Sequence, residues 1–174
     1  MNKFKSIDLF AGCGGLMDGF EQSGFYETLA VVEWEKAPCR NIQIRLRDKW
    51  NYTDSLAHLT YPLRYISGKY GIKVDLTKFD DVINTIFETL IYNKKALELN
   101  VSTLNTYHHE PMPTAALIKR FHDMGGKYVT VGTDSHRTAT VCDNIDKGYE
   151  ILQSCGYEHF TIFVKHEPWL MPIR

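Results

Sequence analysis

Short apolar runs alternate with amphipathic ones along this chain, and that alternation restricts the fold more than any other feature. "KSIDLF" (5–10) and "TLAVVEW" (28–34) read as buried strands, followed by helical segments over 15–23 and 35–50. "WNYTDS" (50–55) breaks the pattern, "SLAHL" (55–59) reads as a strand end, and Pro62 opens a short helix. The segment 78–95 predicts an amphipathic helix with Val82, Ile83, Ile86, Leu90 and Ile91 on one stripe. "ALELN" (96–100) and "KYVTVGT" (127–133) read as strands on either side of a helix that Pro113 opens and Gly125 and Gly126 end. A further helix over 144–156, closed by Gly156, leads into a last strand, "HFTIFVK" (159–165). The pattern predicts a parallel α/β architecture throughout.

Composition narrows the function classes. The 174 residues are 44% hydrophobic and 24% charged, as in a soluble globular protein large enough for one ordinary domain with a core. A net charge of −1 supplies no basic field towards nucleic acid or acidic lipid. Cys13, Cys39, Cys142 and Cys155 form no Cys-x-x-Cys pair, which argues against a zinc knuckle. The first residues do not read as a secretory signal, and no apolar run approaches the ~18 residues of a membrane span. Free thiols in a reducing cytoplasm are the expectation.

"FAGCGGL" (10–16) carries a first chemistry. Gly12, Gly14 and Gly15 follow a strand and open a helix, where missing side chains let backbone approach a ligand closely. Glu33 ends the second strand, placed to accept hydrogen bonds from ribose hydroxyls, and Trp34 offers a flat face to a purine. This is a Rossmann-like β-α-β-α opening. The glycine spacing alone equally describes a tight turn that binds nothing.

The longer string "DLFAGCGGLMDGFEQSGF", followed by "VVEWEKAPCRNIQIRLRDKWNY", resembles the opening of the DNA cytosine-5-methyltransferases. The resemblance implies S-adenosylmethionine as cofactor, with Phe10, Gly12 and Gly14 lining it, Glu33 on the ribose and Trp34 on the adenine. It also asks for a nucleophilic cysteine in a downstream Pro-Cys turn and a region that flips the target base. Pro38-Cys39 lies inside the helix after the second strand, and no later Pro-Cys follows. Methyl transfer to DNA by this chain alone is therefore not expected.

"GTDSHR" (132–137) carries the second chemistry. Asp134 and His136, two residues apart just beyond a strand, can face the mouth of a barrel and ligate zinc, manganese or iron. The same spacing also serves an Asp cap beside an exposed His. "DSLAHLTYPLRY" (54–65) adds His58 at another strand end and Arg64 after it. A metal that generates hydroxide and a guanidinium that holds phosphate oxygens are what phosphomonoester hydrolysis needs. A core His and a solvated Arg would fit that stretch as well.

From about Ser55 onwards, "LAHLTYPLRYI", "KALELN", "MGGKYVTVGTDSHR" and "CGYEHFTIFVKHEPWLMPI" resemble the C-terminal half of histidinol-phosphatases of the polymerase-and-histidinol-phosphatase superfamily. The resemblance implies part of a distorted (β/α) barrel and a divalent metal centre of Zn, Mn or Fe. The implied substrate is a small phosphate ester, L-histidinol phosphate, cleaved to L-histidinol in histidine biosynthesis. It makes His58, Asp134 and His136 metal ligands, puts Arg64 on phosphate, and gives His136 a part in proton transfer. Glu98 and Asn100 match a strand motif for which a structural or supporting role is expected. Asn105 stands where the family motif ends in Arg, which weakens phosphate binding. No His-x-His pair occurs, and adjacent His108 and His109 read as solvated.

The seam falls in "KWNYTDSLAH" (49–58), giving a methyltransferase-like fragment over 1–54 and a partial barrel over 55–174. The expectation is a joining of two incomplete pieces: a phosphatase-type unit, truncated and inactive alone. The alternatives are an S-adenosylmethionine-binding remnant and a non-enzymatic fusion fragment.

Overall fold

The computed structural model describes residues 4–9, 26–32 and 53–174. The chain divides into two compact units, Met1–Thr53 and Asp54–Arg174. In the first, β1 (Phe4–Leu9) and β2 (Tyr26–Val32) pair in parallel, with a register shift between Ser6 and Ile7. The helices expected over 15–23 and 35–50, and the cofactor residues Phe10, Gly12, Gly14, Glu33 and Trp34, lie outside the described residues.

The second unit is built on a parallel sheet in the order β3 (Ser55–Leu56), β4 (Ala96–Asn100), β5 (Val129–Gly132). β4 is buried along nearly its whole length, as its continuous apolar reading requires. Helices α1 (Asp80–Tyr92) and α2 (Ala115–Asp123) form the crossovers on either side of β4, and α3 (Ile145–Ser154) follows β5.

The α1 stripe keeps Ile83, Ile86, Leu90 and Ile91 of the five expected residues and has Phe87 in place of Val82. Ile83, Phe87 and Leu90 are buried, whereas Val82 is 57% exposed. Phe87 is the reason: its ring meets Phe121 of α2 with centroids 5.2 Å apart, and both rings are fully buried. Gly126 lies directly against Phe121, where any Cβ would stand 2.5 Å from the ring. The Tyr157 hydroxyl donates to the Gly126 carbonyl at 2.8 Å, and burial raises its pKa well above the ordinary phenol value.

The chain ends in a hairpin, β6 (His159–Val164) against β7 (Glu167–Pro172), antiparallel and in register from His159↔Pro172 to Val164↔Glu167. The architecture is therefore mixed α/β with a parallel sheet rather than parallel throughout. The two turn residues, Lys165 and His166, are both left-handed, which matches the strand twist in a two-residue hairpin. His166 Nδ1 lies 2.9 Å from Asp54 Oδ2, tying the hairpin tip to the start of the unit. The Thr161 hydroxyl accepts from the Val129 amide at 3.2 Å, which joins β6 to β5. Among the described residues no helix is long and apolar enough to cross a membrane.

Candidate functional site

Three consecutive parallel strands point the same way, so the residues just past their carboxyl ends gather at one edge of the sheet. β3 delivers His58, β4 ends in Glu98 and Asn100, and β5 delivers Asp134 and His136. Asp134 is the hub. Its Oδ2 lies 3.9 Å from His58 Nε2, and its Oδ1 lies 3.4 Å from His136 Nε2. His58 and Asp134 are partly buried, whereas the His136 side chain is 86% exposed.

Both His58 (φ 57°) and Asp134 (φ 47°) sit in the left-handed region, which a non-glycine residue adopts at a cost. The backbone is bent where the sheet hands its side chains to the site. Two imidazole nitrogens and a carboxylate are donors that suit zinc, manganese or iron. Among the described residues, however, no three His, Cys, Asp or Glu side chains converge on one point as a complete metal set. The three side chains are joined pairwise, through Asp134.

Arg64 belongs to the same neighbourhood through an aromatic relay. His58 stacks on Tyr61 at 5.1 Å and 10°, and Tyr61 meets Tyr65 edge-on, with their hydroxyls 3.2 Å apart. The Arg64 guanidinium carbon lies 6.0 Å from the Tyr61 ring centre and 5.9 Å from that of Tyr65. Burial opposes the Arg64 charge, but the phenols of Tyr107, Tyr61 and Tyr65 raise its pKa on balance. Its Nε is buried without a hydrogen-bond partner. The hydrogen bond with Tyr65, burial and the negative charge of Asp134 raise the Tyr61 phenol, while Arg64 opposes them.

Sequence reasoning missed Tyr61, Tyr65 and Tyr107. Tyr61 and Tyr65, four apart on a helical turn beside Arg64, were the available signal. Arg64 opens a π-helical turn, Arg64–Lys69, which follows Pro62 where a short helix was expected. Asn105 and His109 are exposed on the loop after β4, and His108 is partly covered.

Behind the trio stands Glu98. Its Oε2 accepts from the His58 backbone N–H at 3.2 Å and from Asn100 Nδ2 at 3.4 Å. Asn100 is fully buried and accepts from the Ser102 amide at 3.0 Å and the Ser102 hydroxyl at 2.7 Å. Gly132, the last residue of β5, has no room for a side chain, because a Cβ there would run into Glu98 Oε1.

Comparison with known proteins finds two likenesses. The family model for C-5 cytosine-specific DNA methylases matches residues 4–55. Rattus norvegicus DNA (cytosine-5)-methyltransferase 1 is 53% identical over 36 residues, 20% of this chain and 2% of that protein. The probable histidinol-phosphatase of Thermotoga maritima is 32% identical over 108 residues, 62% of this chain and 43% of that protein. Among solved structures, the Lactococcus lactis histidinol phosphate phosphatase, complexed with zinc, L-histidinol and phosphate, superposes with a TM-score of 0.55 at 17% identity. That match covers 87% of this chain and 66% of the other. The chain thus resembles two unrelated families in two stretches, and spans about two-fifths of the length of the histidinol-phosphatases it matches.

Proposed function

We propose that the second unit is the C-terminal part of a metal-dependent phosphomonoesterase of the histidinol-phosphatase type, truncated and inactive alone. One observation carries this reading: Asp134 stands between His58 and His136 at the strand ends, within an aromatic cluster that holds Arg64. Similarity to histidinol-phosphatases, one of them solved with zinc and phosphate, supports it. His58, Asp134 and His136 would hold a divalent ion, which when bound supplies a Lewis acid and a nucleophilic hydroxide. Arg64 orients phosphate, and exposed His136 is free to carry a proton to or from solvent. The remaining metal ligands would come from strands outside this unit, and Asn105 inside it stands where the family motif has a phosphate-binding Arg.

The test is calorimetric and enzymatic. The full chain is expected to take up Zn2+ or Mn2+ weakly and to release little phosphate from L-histidinol phosphate. Adding a polypeptide that supplies the complementary half of such a barrel should raise turnover. Arg64→Ala should then weaken inorganic phosphate binding about tenfold or more, since a charge-assisted bidentate contact is lost. A chain that takes up no divalent metal with or without that partner would end the proposal.

For the first unit the parallel β1–β2 pair and the match over residues 4–55 favour a second reading, an S-adenosylmethionine-binding remnant that uses Phe10, Gly12, Gly14, Glu33 and Trp34. Titration of the full chain with S-adenosylmethionine should release heat; a flat thermogram rejects this reading.

A further inference from the structure

We infer that Glu98 is a positioning residue that holds His58 and Asp134 in place without being a ligand itself, and that Gly132 is a glycine to let it do so. The inference rests on the proposed role of His58, Asp134 and His136 as metal ligands. Glu98 lies on β4, between the strand that delivers His58 and the strand that delivers Asp134. One carboxylate oxygen accepts the backbone N–H of His58, the residue whose left-handed turn aims its imidazole at Asp134. The same oxygen accepts Asn100 Nδ2, and buried Asn100 is itself anchored on Ser102. The other oxygen occupies the space above Gly132, two residues before Asp134. A single side chain thus braces the backbone of one ligand and packs on the strand end that leads to the other.

The chemistry suits this work better than ligation. Two donors already converge on Oε2, and the other oxygen is packed against β5. A carboxylate that accepts a backbone N–H offsets part of the cost of a left-handed residue, because charge-assisted bonds are roughly twice as strong as neutral ones.

The decisive comparison is Glu98→Leu, which keeps the bulk and loses the acceptor, against Glu98→Gln, which keeps an acceptor oxygen. Amide hydrogen exchange by NMR on the metal-free full chain should show His58 exchanging at least about tenfold faster in Glu98→Leu. Leu97 and Val101, whose amides bond to the Tyr128 and Gly132 carbonyls, should hold their rates. Glu98→Gln should restore most of the His58 protection. Zn2+ affinity should fall about 10–100-fold in Glu98→Leu, the usual cost of losing an outer-shell partner, and recover in Glu98→Gln.

Should Glu98→Leu fail to fold, Gly132→Ala takes its place, since its methyl group displaces the carboxylate and should deprotect His58 in the same way. Unchanged His58 exchange in a folded Glu98→Leu or Gly132→Ala protein overturns the inference. So does equal loss in Leu and Gln variants. If the wild-type chain takes up no metal, the metal reading fails while the exchange experiment still decides the role of Glu98.

Discussion

Replacing Asp134 by Asn is expected to remove divalent-metal binding from this chain almost completely while leaving its melting temperature unchanged or slightly higher. Asp134 approaches both His58 and His136, at 3.9 and 3.4 Å. Asn keeps the size of the side chain and, like Asp, tolerates the left-handed φ of 47° found here. What it loses is the negative charge and one hard oxygen donor, leaving two imidazoles with no carboxylate between them. Loss of an outer-shell partner costs about 10–100-fold in metal affinity, and loss of the central ligand should exceed that. Titration of wild-type and Asp134→Asn chains with Zn2+ and Mn2+, beside thermal melts, checks both halves. A variant that binds metal like the wild type would show that the trio is an ordinary ion-paired cluster.

Much of this arrangement was legible in the sequence, and the exceptions have physical causes. β4, β5, α2 and α3 follow from apolar runs and from Pro and Gly punctuation, which are local signals. His58, Asp134, His136 and Arg64 were singled out by resemblance, since strand-end spacing alone left other readings open, and the structure brings Asp134 near both histidines. One position of the α1 stripe was misread because Phe87, not Val82, has a partner, and that partner lies on another helix. β7 went unread for two reasons. Its turn, Lys165-His166, lacks the Asn or Gly that ordinarily marks a two-residue hairpin, and Pro168 and Pro172 sit within the strand. The brace from Glu98 to His58 and Gly132 joins residues far apart in the chain, so no spacing rule points to it. Resemblance, not periodicity, supplied the substrate class.

The second large effect separates the fold from the site. Phe121→Ala should destabilise the chain by about 3–5 kcal/mol, the usual cost of emptying a buried aromatic position. Phe121 is fully buried, meets Phe87 at 5.2 Å and underlies Gly126, so its ring joins α1, α2 and the turn into β5. Nothing nearby can collapse easily into the space, because Leu117 and Ile118 are already committed to the same core. Against a total stability of about 5–15 kcal/mol for an ordinary domain, that loss is a fifth or more. Urea unfolding followed by near-ultraviolet circular dichroism should therefore shift to much lower denaturant, and a shift worth less than about 1 kcal/mol would mean that the two rings do not pack as described. In the folded fraction Phe121→Ala should still bind metal, because the ring packs on Phe87 and Gly126 and belongs to the helix side of the sheet rather than to its strand ends. Asp134→Asn should do the reverse, losing metal and keeping stability. If the two losses could not be separated in this way, the core would not be a scaffold independent of the ligands at its edge, and the strand-end trio would be part of what holds the sheet together.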